Sequence, residues 1–180
     1  MEEQIMNMPA VALRGLTILP GMIAHFDISR ERSLRAVEEA MEQDQKIYLV
    51  TQRNVDSEDP TQEDLYQMGI VADIKQVVRL QNDVVRILVD GISRAALLGF
   101  TGNEKYLEAE ICYCDSNADS LPEDLREAML LGVREAFHRY AAVVGKISKE
   151  LIRQIDQYED REKLIDYVTN NRPVSYELKQ

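Results

Sequence analysis

The residues whose types and spacing suit chemistry each lack a part that the chemistry needs. A phosphate-wrapping loop requires Gly-x-x-x-x-Gly-Lys-Ser/Thr, so that backbone N–H groups surround the phosphate oxygens. The only Gly-Lys pair is Gly145-Lys146; Ile147 follows it, and Tyr140 stands where the first glycine belongs. Gly91-Ile92-Ser93-Arg94-Ala95 misses a Gly-x-Ser-x-Gly nucleophile elbow at its last residue and reads as strand, where an elbow needs a strand-to-helix turn with a histidine base in reach. Cys112 and Cys114 alternate on a strand and share one face, half of a zinc site at most. His25 and His138 belong to no His-Glu-x-x-His pattern and read as surface or packing residues. The acidic pairs Glu38-Glu39 and Glu58-Asp59 fall on a solvent face and in a loop, where burial cannot push their pKa values apart. No catalytic, cofactor-binding or metal-ligating residue is expected. The residues describe a domain that binds rather than one that reacts.

The elements that would carry these residues are mostly short strands over the first hundred positions. Ala10–Leu13 and Leu16–Leu19 flank Arg14-Gly15, and Pro20-Gly21 punctuates the chain. Ala24, Phe26 and Ile28 alternate with His25 and Asp27, as in a half-buried strand. A helix is predicted over 29–44, with Ser29 as N-cap and Leu34, Val37, Ala40 and Met41 as its apolar stripe. Lys46 to Thr51 is a strand, and 52–69 a polar loop with one helical turn near Thr61–Asp64. From Ile70 the alternation returns, broken at Val77-Val78 by a predicted bulge. Gln81-Asn82-Asp83 reads as a hairpin loop, Gly91 as a turn, and Leu107 to Tyr113 as a last strand.

Asp115–Ser120 is short, polar and turn-forming, and the boundary is set there: a β-rich part at 1–115 and a helical part at 120–180. Ser120 and Glu123 have capping-box spacing. Leu125, Met129, Val133, Phe137, Tyr140 and Val144 recur near a 3.6-residue period, and Ser148 and Asp160 are placed to cap two further helices.

Composition removes several classes of function. The net charge is −11, with 11 basic against 19 acidic residues up to Cys114 and 10 against 13 beyond it. Neither part offers a basic surface to phosphate backbones, so no nucleic acid is expected as partner. No apolar run approaches the roughly 18–20 residues that span a bilayer. The acidic start Met1-Glu2-Glu3-Gln4 is unlike a secretory or mitochondrial leader, and two cysteines make no disulfide scaffold. The expected compartment is the cytoplasm.

Four stretches together resemble the N-terminal domain of bacterial Lon proteases. They are Ala12–Met22, with Ala12 where the family usually has proline; Arg30–Met41; Asp59–Tyr66 followed by Gly69–Ala72; and Val84–Ala95, whose Val89-Asp90-Gly91-Ile92-Ser93-Arg94-Ala95 is similar to the family's Val-Glu-Gly-x-x-Arg-Ala. They cover roughly residues 9–100 in the family's order and spacing. The resemblance implies an α+β fold, a PUA-like and mostly antiparallel pseudo-barrel with one helix, followed by a helical subdomain that stops before an ATPase module and a Ser-Lys protease module. It implies a non-catalytic role in recognising damaged or unfolded proteins and in supporting a homohexamer, with ATP and magnesium needed only by the full-length parent. Expected partners are unfolded or damaged protein substrates and other Lon subunits, with no membrane. Arg14, Gly91 and Arg94 match the family pattern and are read as fold residues: Gly91 for a turn, the arginines to pair with sheet-edge carbonyls or acids.

For client binding, the loop-adjacent apolar residues Leu19, Pro20, Met22, Leu65, Tyr66 and Met68 are the candidate contacts, with ordinary core packing as the competing assignment. A stand-alone binding protein of the same fold, with a small-molecule or other protein ligand, is the alternative function.

Overall fold

The computed structural model describes residues 5–114, 121–145, 147–172 and 175–180. It divides into two units, Met1–Cys114 with Ser175–Gln180 and Asp115–Val174. The boundary expected at 115–120 coincides with that division. The end of the chain does not: the last six residues, assigned by sequence to the helical part, belong to the β-rich unit. There the Thr17 hydroxyl donates to the Tyr176 carbonyl at 3.1 Å, and the Gln180 side-chain amide donates to the Met68 carbonyl at 2.7 Å.

The β-rich unit contains β1 (Ile5–Leu13), β2 (Ile23–Ile28), α1 (Glu31–Glu42), β3 (Lys46–Thr51), a 3-10 turn at Gln62–Asp64, β4 (Met68–Arg79), β5 (Val85–Phe100) and β6 (Glu108–Tyr113). The strand order is β2-β5-β4-β3-β1-β6, with β5 also pairing β6. Closure depends on the length of β5. Val85–Asp90 pair with β2, Ala95–Phe100 pair with β6, and β4 runs along both halves. Among the described residues β1 and β3 pair in parallel, and the other strand pairs are antiparallel.

The strand side chains sort into two cores. Val11 and Leu13 of β1 join Ile47 and Leu49 of β3, Ile70, Ala72 and Ile74 of β4, and Ala36, Val37 and Ala40 of α1. Met8, Ala10, Ala12, Tyr48, Val50 and Val71 face the other way, onto Ala95, Leu97, Ala109 and Ile111. Both faces of β1 and β3 are therefore covered. This is why Ile47-Tyr48-Leu49-Val50 is a continuous apolar run and not an alternating one.

Several local expectations shift by a residue or two. Leu16–Leu19 is not strand; the chain there runs as loop into β2. Ser29 does not cap α1: the chain stays extended through Arg30, whose guanidinium reaches across to Gln52 and Ser57, and the helix starts at Glu31 without a side-chain cap bond. The bulge on β4 lies between Ile74 and Gln76. Lys75 and Gln76 are exposed in succession, which resets the alternation and turns Val77 back onto the core.

The helical unit comprises α2 (Glu123–Val144), α3 (Lys149–Gln157) and α4 (Arg161–Asn170); a short α5 (Tyr176–Lys179) belongs to the other unit. Its core gathers Phe137 and Ala141 of α2, Ile155 of α3 and Leu164 of α4. The stripe predicted on α2 is used only in its middle, since Leu125, Met129 and Val144 are exposed. The caps at Ser148 and Asp160 form as expected: Ser148 Oγ accepts from the Leu151 N–H, and Asp160 accepts from the N–H groups of Glu162 and Lys163. The Ser120 cap lies outside the described residues. Asp160→Ala strands two helix-end donors and should cost about 1 kcal/mol, read as an earlier loss of helical circular dichroism on urea titration.

Candidate functional site

The residues first weighed for chemistry are used structurally. Ser93 lies inside β5 opposite Val71, with no strand-to-helix turn around it. Glu38 meets Arg79 at 3.7 Å, Glu39 accepts from the Gln43 amide at 2.7 Å, and Asp59 meets Arg32 at 3.2 Å. His138 contacts Asp156 across α2 and α3 at 2.8 Å. Cys112 is half-buried and Cys114 exposed, with its thiol 3.9 Å from the Met68 sulfur. Among the described residues no three His, Cys, Asp or Glu side chains form a metal-holding group.

An apolar lip is built where the loop before β2 closes on β5. Gly91 donates its N–H to the Met22 carbonyl at 3.0 Å and accepts from the Gly21 N–H at 2.8 Å. Gly91 has no positive φ, and β5 runs straight through it, so it is not the predicted turn. It is needed for close approach. A Cβ there would lie well inside contact distance of the Leu19 carbonyl oxygen and 3.2 Å from Ile70 Cδ1. A register shift follows, between the pairs Gly91–Ala72 and Ser93–Val71, and leaves Ile92 exposed and without a partner on β4. The clipped loop packs Met22 against the first core and leaves the half-buried Pro20 near Ile23, 68% exposed, and Ile92, 45% exposed.

The predicted contact residues divide accordingly. Leu19 and Leu65 are buried and supply core. Pro20 lies in the lip, and Met22 packs against the first core beneath it. Tyr66 lines an open groove of about 890 Å³ with Arg53, Gln62, Gln67, Leu97 and Leu98. The Arg53 guanidinium stacks 4.7 Å from the Tyr66 ring centre, and the Gln62 amide closes the groove's edge by donating to the Leu98 carbonyl at 3.1 Å. Met68 is half-buried, and its carbonyl is taken by Gln180. Sequence reasoning missed Ile23 and Ile92. Ile23 was legible: if Ala24, Phe26 and Ile28 point inward, Ile23 shares the outer face with His25 and Asp27. Ile92 was legible in the same way: with Ile87 and Val89 pointing inward, Ile92 shares the outer face with Leu88 and Asp90.

The ATP-dependent protease La (LON) substrate-binding domain matches this chain over residues 7–180. The chain belongs to the Lon substrate-binding-domain family. The four sequence motifs pointed to the same family. Lon protease of Lachnoclostridium phytofermentans is 36% identical over the whole chain, and that of Clostridium acetobutylicum 33% identical. The chain covers 22% and 23% of those proteins, about a fifth of their length. Two solved structures show the same fold. The N-terminal domain of a Mycobacterium avium complex Lon protease has a TM-score of 0.75 at 16% identity, with 97% of this chain and 87% of that one covered. A Lon N-terminal domain protein from Xanthomonas campestris has a TM-score of 0.52 at 14% identity, with 93% and 99% covered.

Within this Lon domain, Arg14 acts as a fold residue should, donating to the Ser57 carbonyl at 2.9 Å. No helix among the described residues is long and apolar enough to cross a membrane.

Proposed function

We propose that the chain is the non-catalytic substrate-recognition and assembly domain of an ATP-dependent serine protease that degrades misfolded and regulatory proteins. ATP, magnesium and the peptide-cleaving Ser-Lys pair belong to parts of the parent beyond this chain, and the working compartment is the cytoplasm. The observation that supports client recognition is the lip of Pro20, Ile23 and Ile92, held on β5 by the two hydrogen bonds at Gly91. A misfolded client differs from a native protein chiefly in exposed apolar surface. Covering a few hundred Å² of it yields on the order of 5–10 kcal/mol gross at about 25 cal/mol/Å², and association consumes much of this. A single copy then binds weakly, and copies arranged on a ring multiply the effect. With a net charge of −11 the surface suits protein rather than nucleic-acid clients.

The test is a titration of fluorescently labelled, chemically denatured protein with this chain. Ile23→Lys places a charge in the lip opposite Asp90, its cross-strand partner, without touching the core, and should weaken binding roughly tenfold without lowering the melting temperature. Equal binding by wild type and variant would remove the lip from the account.

The assembly role is favoured by α2, which leaves Leu125, Met129, Leu131 and Val143 exposed. Self-association in sedimentation, abolished by Leu131→Lys, is the expected result; a strict monomer at all concentrations would count against it.

A further inference from the structure

A second cavity, separate from the lip and the groove, lies where β1, β2 and α1 meet. It has a volume of about 260 Å³, and Leu13, Leu16, Phe26 and Ile28 supply apolar wall. Arg14, Arg30 and Ser33 line it as well. In a chain this acidic, neither Arg14 nor Arg30 has a carboxylate within ion-pair distance among the described residues. Both guanidinium groups donate to one oxygen, the Ser57 carbonyl, at 2.9 and 3.1 Å. Two like charges are thus held side by side. Arg30 accordingly titrates below its ordinary value, through burial first and then the Arg14 charge, with Asp59 and Glu58 acting in the opposite sense.

Two further features face the same space. The Ser33 side chain is only 4% exposed, lines the cavity, and has no hydrogen-bond partner among the described residues. α1 also begins here with no side-chain cap, which leaves first-turn N–H groups directed at the cavity's end of the helix. Asp27, the one acid on the lining, is occupied: Arg86 grips it bidentately at 2.6 and 2.8 Å.

We infer that this cavity binds a carboxylate carried on a short apolar body, with Arg14, Arg30 and the Ser33 hydroxyl holding the carboxylate and the Leu13, Leu16, Phe26 and Ile28 wall holding the body. Such a group comes from a small branched acid or from the C-terminus of a peptide ending in an aliphatic residue. The inference does not depend on the lip. Charge-assisted bonds from two guanidinium groups suit a two-oxygen acceptor, and the volume lies below the roughly 300–1,000 Å³ of sites for drug-sized ligands.

The experiment is a two-dimensional amide NMR titration of the 180-residue chain with four probes: isovalerate, a pentapeptide ending in leucine as the free acid, the same peptide as its C-terminal amide, and inorganic phosphate. Saturable shifts confined to residues 13–16 and 29–34 are expected with both carboxylates, and roughly tenfold weaker binding of the amide. A much tighter peptide acid identifies a chain terminus as the natural ligand, and equal affinities identify the small acid. Arg30 holds the 52–57 loop through both Gln52 and Ser57 and Arg14 through Ser57 alone, so the diagnostic variants are Arg14→Gln, which leaves both Arg30 bonds to that loop in place, and Ser33→Ala. Each should keep the wild-type spectrum and lose most of the carboxylate affinity. No saturable shift at millimolar carboxylate, phosphate binding as tightly as the acids, or variants that bind like wild type would overturn the inference.

Discussion

Gly91→Ala should destabilise the β-rich unit by about 3 kcal/mol or more, well above the cost of an ordinary surface substitution. The added methyl group meets the Leu19 carbonyl oxygen inside contact distance, and that oxygen belongs to backbone, which cannot rotate away as a side chain can. Relief requires the loop before β2 to lift off β5, breaking the two hydrogen bonds that Gly91 makes with Gly21 and Met22. Leu19 and Ile18, both buried, would be drawn out with it. Gly21→Ala is the control. Gly21 has φ +70° and nothing within 4 Å of the position its Cβ would take, so it pays for torsion alone, on the order of 1 kcal/mol. Urea unfolding of the two variants separates the causes: a much larger loss at Gly91 is the signature of close approach, and equal losses would contradict it. Because the same loop carries Pro20 and leads into Ile23, any Gly91→Ala protein that still folds should also lose client affinity.

This glycine marks where local pattern stops being informative. Gly91 was read as a turn because glycine punctuates strands, yet its reason lies in a loop about seventy residues earlier, which no local pattern encodes. The strands themselves were legible where one face meets water, as in β2, or where a run is apolar throughout, as in β3. Closure was not. It depends on β5 offering its two halves to β2 and β6, and on β1 pairing with β6 from Ile5–Cys112 to Pro9–Glu108. The site follows the same division. Ile23 could be placed from alternation, whereas Leu19 and Leu65 are loop-adjacent in sequence but roofed over by other segments. The α1 start was misplaced because Ser29 has the right type for a cap, and the long-range bonds of Arg30 decided otherwise. The return of Ser175–Gln180 to the β-rich unit is marked by hydrogen bonds to Thr17 and Met68 that no nearby residue foretells.

Tyr48→Phe should cost about 1–3 kcal/mol at neutral pH, the usual penalty for stranding a buried polar group, and should also change how stability depends on pH. The Tyr48 ring is fully buried, and its hydroxyl donates to the Ala95 carbonyl at 3.0 Å, tying β3 to β5 inside the second core. Phenylalanine leaves that carbonyl without its side-chain partner. Burial, with the nearby Cys114 thiol acting in the same sense, pushes Tyr48 ionisation far above the ordinary phenol range, against a smaller opposing effect of the Gly69 backbone. The unfolded chain loses this proton near pH 10, while the folded chain keeps it. The stability contributed by the neutral hydroxyl is therefore fully present below about pH 10 and is lost as pH rises toward the folded value. Wild-type stability should fall steeply on the alkaline side. The variant should fall less, with a residual slope from Tyr106, which burial and Glu108 also raise. Urea titrations from neutral to strongly alkaline pH should show the gap between the two proteins narrowing. An unchanged gap would mean that Tyr48 ionises alike in both states, and the phenol would then have to be open to water in the native fold.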